Sequence, residues 1–197
     1  MTLAGAITGG SLVDQAIRAV RGYIRDRDMR VGDTLPGEGA FATELGVSRA
    51  VMREAFGALA ALRLIDVGNG RKARVGAIDG SVMATSLDHA VTTAQISTAE
   101  VWDVRRTLEL RTAALAATHR SDAEARVILD HAGQMREAGN LAQTMRHDIA
   151  LHQAVARASG NALFTQIIRS FEPLMHSAVA AAWGTRQTEE QRVMILS

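Results

Sequence analysis

Residues 34–75, TLPGEGAFATELGVSRAVMREAFGALAALRLIDVGNGRKARV, restrict the fold of this chain more than any other stretch. Glu38 to Leu45 reads as a short helix, with Phe41 and Leu45 at an i, i+4 apolar spacing. Gly46 supplies a tight turn, and the Ser48 hydroxyl can cap a second helix. That helix carries Arg49 and Arg53 four residues apart, so both guanidinium groups leave one face. Val51, Ala55, Ala58, Leu59 and Leu62 supply the apolar positions on its other side. A helix apolar on one side and arginine-bearing near its N-terminus suits entry into a DNA major groove. Leu64 to Val67 and Ala73 to Ala77 then read as two short strands around Asn69-Gly70, a strong hairpin signal. Arg71 and Lys72 at its tip are placed for phosphate or a minor groove.

The segment resembles the N-terminal domain of the GntR family of bacterial transcription regulators. The resemblance is carried by Gly32, Leu35, Pro36, Glu38, Leu45, Gly46, Val47, Ser48, Arg49, Val51, Arg53, Glu54, Ala55 and Leu59. It implies base contacts from Arg49 and Arg53, a phosphate contact from Ser48, and minor-groove contact from Gly70 and its neighbours. The DNA-contacting set is therefore Ser48, Arg49, Ala50, Val51 and Arg53 on the helix, with Asn69, Gly70, Arg71 and Lys72 on the wing. Many members carry arginine directly after the LPxE glutamate; this chain has Gly39 there.

Composition narrows the remaining choices. The chain has 197 residues, 47% of them hydrophobic, which suits two small domains with real cores. It contains no cysteine, so disulfides and thiolate metal sites are excluded and a reducing cytoplasm is the expected location. No basic-then-apolar leader opens the sequence, and no apolar run is long enough to span a membrane. The net charge of +1 is unevenly divided: residues 1–75 hold 11 basic and 8 acidic side chains, the remainder 11 and 13. That sign is expected of a DNA-binding front half.

Along the chain, residues 11–27 read as an amphipathic helix capped by Ser11, with Leu12, Ala16, Ala19, Val20, Tyr23 and Ile24 on its buried face. Residues 28–37 read as a loop, and 78–98 as a linker with a short helix around Val82 to Ala94. Residues 99–119 carry Val101, Trp102, Val104, Leu108, Leu110, Leu115 and Ala116. A capping box at Ser121 and Glu124 opens the next helix, ending near Gly139. Further helices fall at 141–158 and 162–183, the latter kinked or divided by Pro173. The expected class is mainly α: a winged helix-turn-helix with a small β-hairpin over 8–77, the linker over 78–98, and an antiparallel helical bundle over 99–197.

Two features of the back half could carry chemistry. Asp148 and His152 form an i, i+4 carboxylate–imidazole pair, able to share a divalent cation or simply to hydrogen-bond. Arg105 either faces a cavity and clamps a carboxylate, or pairs with Glu109 four residues on. This half resembles the FCD ligand-binding domain that accompanies one GntR branch. The matching residues are Glu100, Val101, Trp102, Asp103, Val104 and Arg105 with Leu108 and Glu109, then Asp148 to His152, then Ala158, Ser159, Gly160 and Asn161. The resemblance implies a metal, often zinc or nickel, on Asp148, His152 and two later histidines, with Arg105 and the metal holding a small organic acid. His147 is turned about 100° from Asp148 and is the less favoured ligand. The best register puts Gln191 at the third ligand position and the fourth beyond residue 197, with His176 as a substitute, so the bundle reads as an incomplete FCD domain. The expectation is a homodimeric repressor on a palindromic operator, released by a carboxylate metabolite. The alternatives are a DNA-binding regulator that senses nothing and, remotely, a metal-dependent hydrolase using Asp148 and His152.

Overall fold

The computed structural model describes residues 10–68 and 70–175, arranged as two compact units divided between Asp79 and Gly80. In the first unit, α1 (Leu12–Asp26) starts at a reciprocal capping box. The Ser11 hydroxyl accepts from the Asp14 amide, and the Asp14 carboxylate accepts from the Ser11 amide. α2 (Glu38–Leu45) ends at Gly46, whose φ of 66° is the left-handed conformation glycine adopts without a Cβ clash. Ser48 caps α3 (Arg49–Ala61), accepting from the Val51 amide at 3.2 Å.

These three helices close on Ala16, Val20, Leu35, Phe41, Met52, Ala55, Phe56 and Leu59. Phe41 lies edge-on to both Tyr23 and Phe56, with ring centroids 5.1 and 5.9 Å away. The buried stripe of α3 is Met52, Ala55, Phe56 and Leu59. Leu62, expected on the core side, is 51% exposed because it follows the helix as its C-cap. Leu12 is exposed as well, and Val13 and Ile17 pack in its stead.

The wing pairs β1 (Ile65–Gly68) with β2 (Arg71–Val75), antiparallel, with a register shift between Asp66 and Gly68. The second strand thus begins two residues earlier than the expected Ala73. Residues 32–35 were expected to be loop, yet they line the free edge of β2. The Leu35 amide donates to the Ala73 carbonyl at 2.8 Å, and the Gly32 amide to the Val75 carbonyl at 2.9 Å. Too short to show alternation, this edge is legible only from its partner.

The second unit holds α4 (Ser81–Thr92), α5 (Thr98–His119), α6 (Asp122–Glu137), α7 (Leu141–Ala158) and α8 (Ala162–Ser170). Capping boxes at Ser97–Glu100 and Ser121–Glu124 open α5 and α6, and Asn140 and Asn161 cap α7 and α8. α7 packs on α5, α6 and α8, and only residues 138–140 separate it from α6, so those two run antiparallel. One core cluster gathers Val101, Ala156, Ile168, Phe171 and Leu174; a second gathers Met145, Ile149 and Met175.

Pro173 divides the last described helix rather than kinking it. Phe171 closes α8 with a tighter turn to Ile168, and residues 172–175 resume the helix. The expected continuation to 183, with His176, Gln191 and the wing residue Asn69, lies outside the described residues. On α5, Trp102, Val104 and Leu110 are exposed, and the buried positions are Val101, Arg105, Thr112 and Ala116. Apolar character occurs on more than one side of α5, so composition alone did not reveal which stripe faces inward.

Candidate DNA interface and ligand site

α3 presents Ser48, Arg49, Ala50 and Arg53 as exposed residues, with Val51 half-buried beside them. Capping by Ser48 places these side chains on the first turn and a half of α3, the end with which helix-turn-helix proteins contact base edges. Arg53 Nε lies 3.9 Å from Glu38 Oε2, with the arginine side chain 78% exposed. Glu38 thus stands beside Arg53 without burying it, a proximity the sequence reading had not given to that glutamate. Gly39 faces Arg49: a Cβ there would sit 3.8 Å from the guanidinium, in ordinary contact. An arginine at this position would place a second cation beside Arg49.

On the wing, Gly70 adopts φ of 70°, and Arg71 and Lys72 are exposed. Arg74 has a different job, donating to the Gly32 carbonyl at 3.0 Å and tying the wing to the preceding loop. Lys72→Ala is expected to weaken binding to all DNA sequences alike and to lower the slope of log affinity against log salt by about one. Affinity measured on two operators at several salt concentrations checks this; a loss confined to one sequence would contradict backbone contact.

In the second unit, Arg105 and Glu109 on α5 meet Asp148 and His152 on α7. Arg105 is only 4% exposed, with Nε donating to Glu109 Oε1 at 2.6 Å and the guanidinium also against Met175 Sδ. Its Cζ stands 4.9 Å from the Trp102 ring centroid. Of the two readings, the pairing of Arg105 with Glu109 is the one present, and the pair is buried rather than on the surface.

His152 joins the two helices. Its Nδ1 lies 3.0 Å from Glu109 Oε1 and its Nε2 3.4 Å from Asp148 Oδ1. Burial alone would lower its pKa, but the hydrogen bonds to Asp148 and Glu109 and the Glu109 charge outweigh it and raise the value from 6.5 to about 9. For Glu109, burial pushes upward, while His152 and Arg105 hold the carboxyl below its usual range. Sequence reading offered Glu109 as a partner of Arg105 by spacing but missed its contact with His152, which makes it the hub.

Because folding raises the His152 pKa, its stabilisation is complete below about pH 6.5 and is lost as pH rises through about 9. A shift of this size corresponds to at most about 3 kcal/mol, and solvent screening at a side chain 32% exposed reduces that. Thermal melts at about pH 6 and pH 9.5 should show a larger drop for the wild type than for His152→Gln. Equal drops would remove His152 as the cause.

The described residues supply part of the ligand set that a zinc or nickel ion would need. Asp148 Oδ1 and His152 Nε2 lie 3.4 Å apart while His152 Nδ1 is turned to Glu109 Oε1, so the pair would supply two ligands and Glu109 the outer hydrogen bond. Among the described residues, no group of three potential metal ligands is assembled. A cavity of about 600 Å³ is lined by Arg111, Leu115, His119, Ser159, Asn161 and Phe164, and another of about 510 Å³ by Ser81, Thr85, Asp88, Arg169 and Glu172, among others; Arg105 lines neither.

A winged helix-turn-helix with an exposed arginine pair, followed by a helical domain with a buried ionic cluster, defines a DNA-binding regulator with a sensing domain. Comparison with known proteins agrees. Residues 12–75 match the bacterial regulatory proteins of the gntR family, and residues 100–194 match the FCD domain. The chain belongs to the GntR family and is a DNA-binding transcriptional regulator carrying an FCD ligand-sensing domain. It is 29% identical over 170 residues to the Glc operon transcriptional activator of Escherichia coli K12, covering 83% of this chain and 67% of that protein. It is 28% identical over 155 residues to the HTH-type transcriptional regulator LutR of Bacillus subtilis, covering 77% and 70%. The fold is similar to that of Streptococcus agalactiae GntR, with TM-score 0.56 at 22% identity over 86% of this chain and 83% of that one. No helix among the described residues is long and apolar enough to cross a membrane.

Proposed function

We propose that this regulator acts as a homodimer on a palindromic operator, repressing transcription until a small carboxylate metabolite binds its helical domain. Two-fold pairing follows from the way helix-turn-helix proteins gain affinity, by reading two half-sites at once. The observation that carries the effector reading is Arg105, a buried guanidinium that already holds a carboxylate, that of Glu109. A hydroxy acid or sugar acid entering the domain takes the place of Glu109, and the released Glu109 and His152 rearrange α5 against α7. Coupling of about 1–3 kcal/mol, or roughly 5–150-fold in operator affinity, makes such a switch effective.

The test is a panel of hydroxy acids and sugar acids, titrated against the protein and then against its operator complex. One acid is expected to bind, to lower operator affinity by that factor, and to lose both effects in Arg105→Ala. A second reading, DNA binding without sensing, draws on the same cluster, because Arg105, Glu109, His152 and Asp148 satisfy one another without a ligand. It prevails if no acid in the panel changes operator affinity. Expression from a reporter that falls when the gene is deleted would replace repression with activation.

A further inference from the structure

α7 carries a second histidine whose position the ionic cluster does not use. His147 precedes Asp148, and the step of about 100° around the helix turns it away from Glu109 and toward α6. There it meets His131, with ring centroids 6.0 Å apart and planes inclined by 36°. The Nδ1 atoms of both rings are buried, and neither has a hydrogen-bond partner. Both nitrogens have surrendered their water without a protein replacement.

We propose that His131 and His147 form a transition-metal site that clips α6 to α7. A neutral imidazole carrying its proton on Nε2 leaves the Nδ1 lone pair free to coordinate. With metal–nitrogen bonds of about 2.0–2.1 Å, the ion sits about 3.2 Å from each ring centroid. Two rings on one ion are then separated by about 5–6.4 Å, from tetrahedral to linear bond angles. The observed 6.0 Å falls inside that interval. Imidazole-only donors select Zn²⁺, Ni²⁺ or Cu²⁺ over Mg²⁺ and Ca²⁺. Water completes the coordination, since no third ligating side chain joins the pair among the described residues. The ion is accordingly exchangeable and adds to the packing of α6 on α7 instead of creating it.

The whole chain, free of any histidine tag, is titrated with Ni²⁺ by calorimetry, alongside His131→Phe, His147→Phe and His152→Ala. About one equivalent is expected to bind in the micromolar range to the wild type and to His152→Ala. Each phenylalanine variant, which keeps a ring in the seam, should bind at least about tenfold more weakly, since even outer partners of metal ligands carry that much. Histidine ¹⁵N signals of the wild type provide a second reading that needs no variant. Addition of Zn²⁺ should shift two Nδ1 resonances and leave both resonances of the His152 ring in place. Binding that survives in both phenylalanine variants, binding lost in His152→Ala alone, or no binding at all would overturn the proposal.

Discussion

Glu109→Ala is expected to destabilise the helical domain by about 3 kcal/mol, the largest effect of any single exchange in the ionic cluster. The reason is geometric. Glu109 Oε1 receives Arg105 Nε at 2.6 Å and His152 Nδ1 at 3.0 Å, so one carboxylate answers two partners on two helices. Removing it leaves a guanidinium only 4% exposed with Met175 and the Trp102 ring for company, and neither carries a negative charge. Thermal unfolding should fall by roughly 10 °C in the transition assigned to this domain. Glu109→Gln keeps the size and one acceptor oxygen, and should lose less. A change below about 1 kcal/mol in Glu109→Ala would mean that water reaches Arg105 freely, and the buried-cluster description would fail.

Arg49→Ala and Arg53→Ala should each cost about 1–3 kcal/mol of specific operator binding, the loss expected when a bidentate contact to a base edge is removed. Both side chains are exposed on the N-terminal part of α3, beside the buried stripe of Met52, Ala55, Phe56 and Leu59. Binding to unrelated DNA should fall much less, which separates reading of bases from simple charge attraction. Arg53→Lys preserves the charge but not the planar fork, so it should recover non-specific affinity and little of the discrimination. Glu38→Ala should act in the same direction as Arg53→Ala but more weakly, because it removes only the carboxylate 3.9 Å away from the guanidinium. Operator affinity unchanged in both Arg49→Ala and Arg53→Ala would remove these residues from base recognition.

The front of the chain was legible because its instructions are local. Ser11 with Asp14, Gly46, and Ser48 ahead of Val51 each act within four residues of their own position, and the elements formed where those residues stand. The same holds for Ser121 with Glu124 in the helical domain. Periodicity was less reliable where a helix carries apolar residues on several sides. On α5 the inward stripe includes Arg105 and Thr112 while Trp102 and Leu110 face outward, a choice set by what α7 and α8 present to it.

Sequence by itself determined the helices, their caps, the turn that sets α3 after α2, and the arginines that α3 exposes, since each depends on backbone sterics and hydrogen bonds between near neighbours. Tertiary structure alone decided the pairing of residues 32–35 with the wing, the meeting of Glu109 with His152, and the facing of His131 and His147. Those contacts join residues 16 to 43 positions apart, and their energies depend on burial and on charges supplied by another helix or strand. A pairwise spacing along the chain cannot encode a partner that only the packing of α5, α6 and α7 brings within reach.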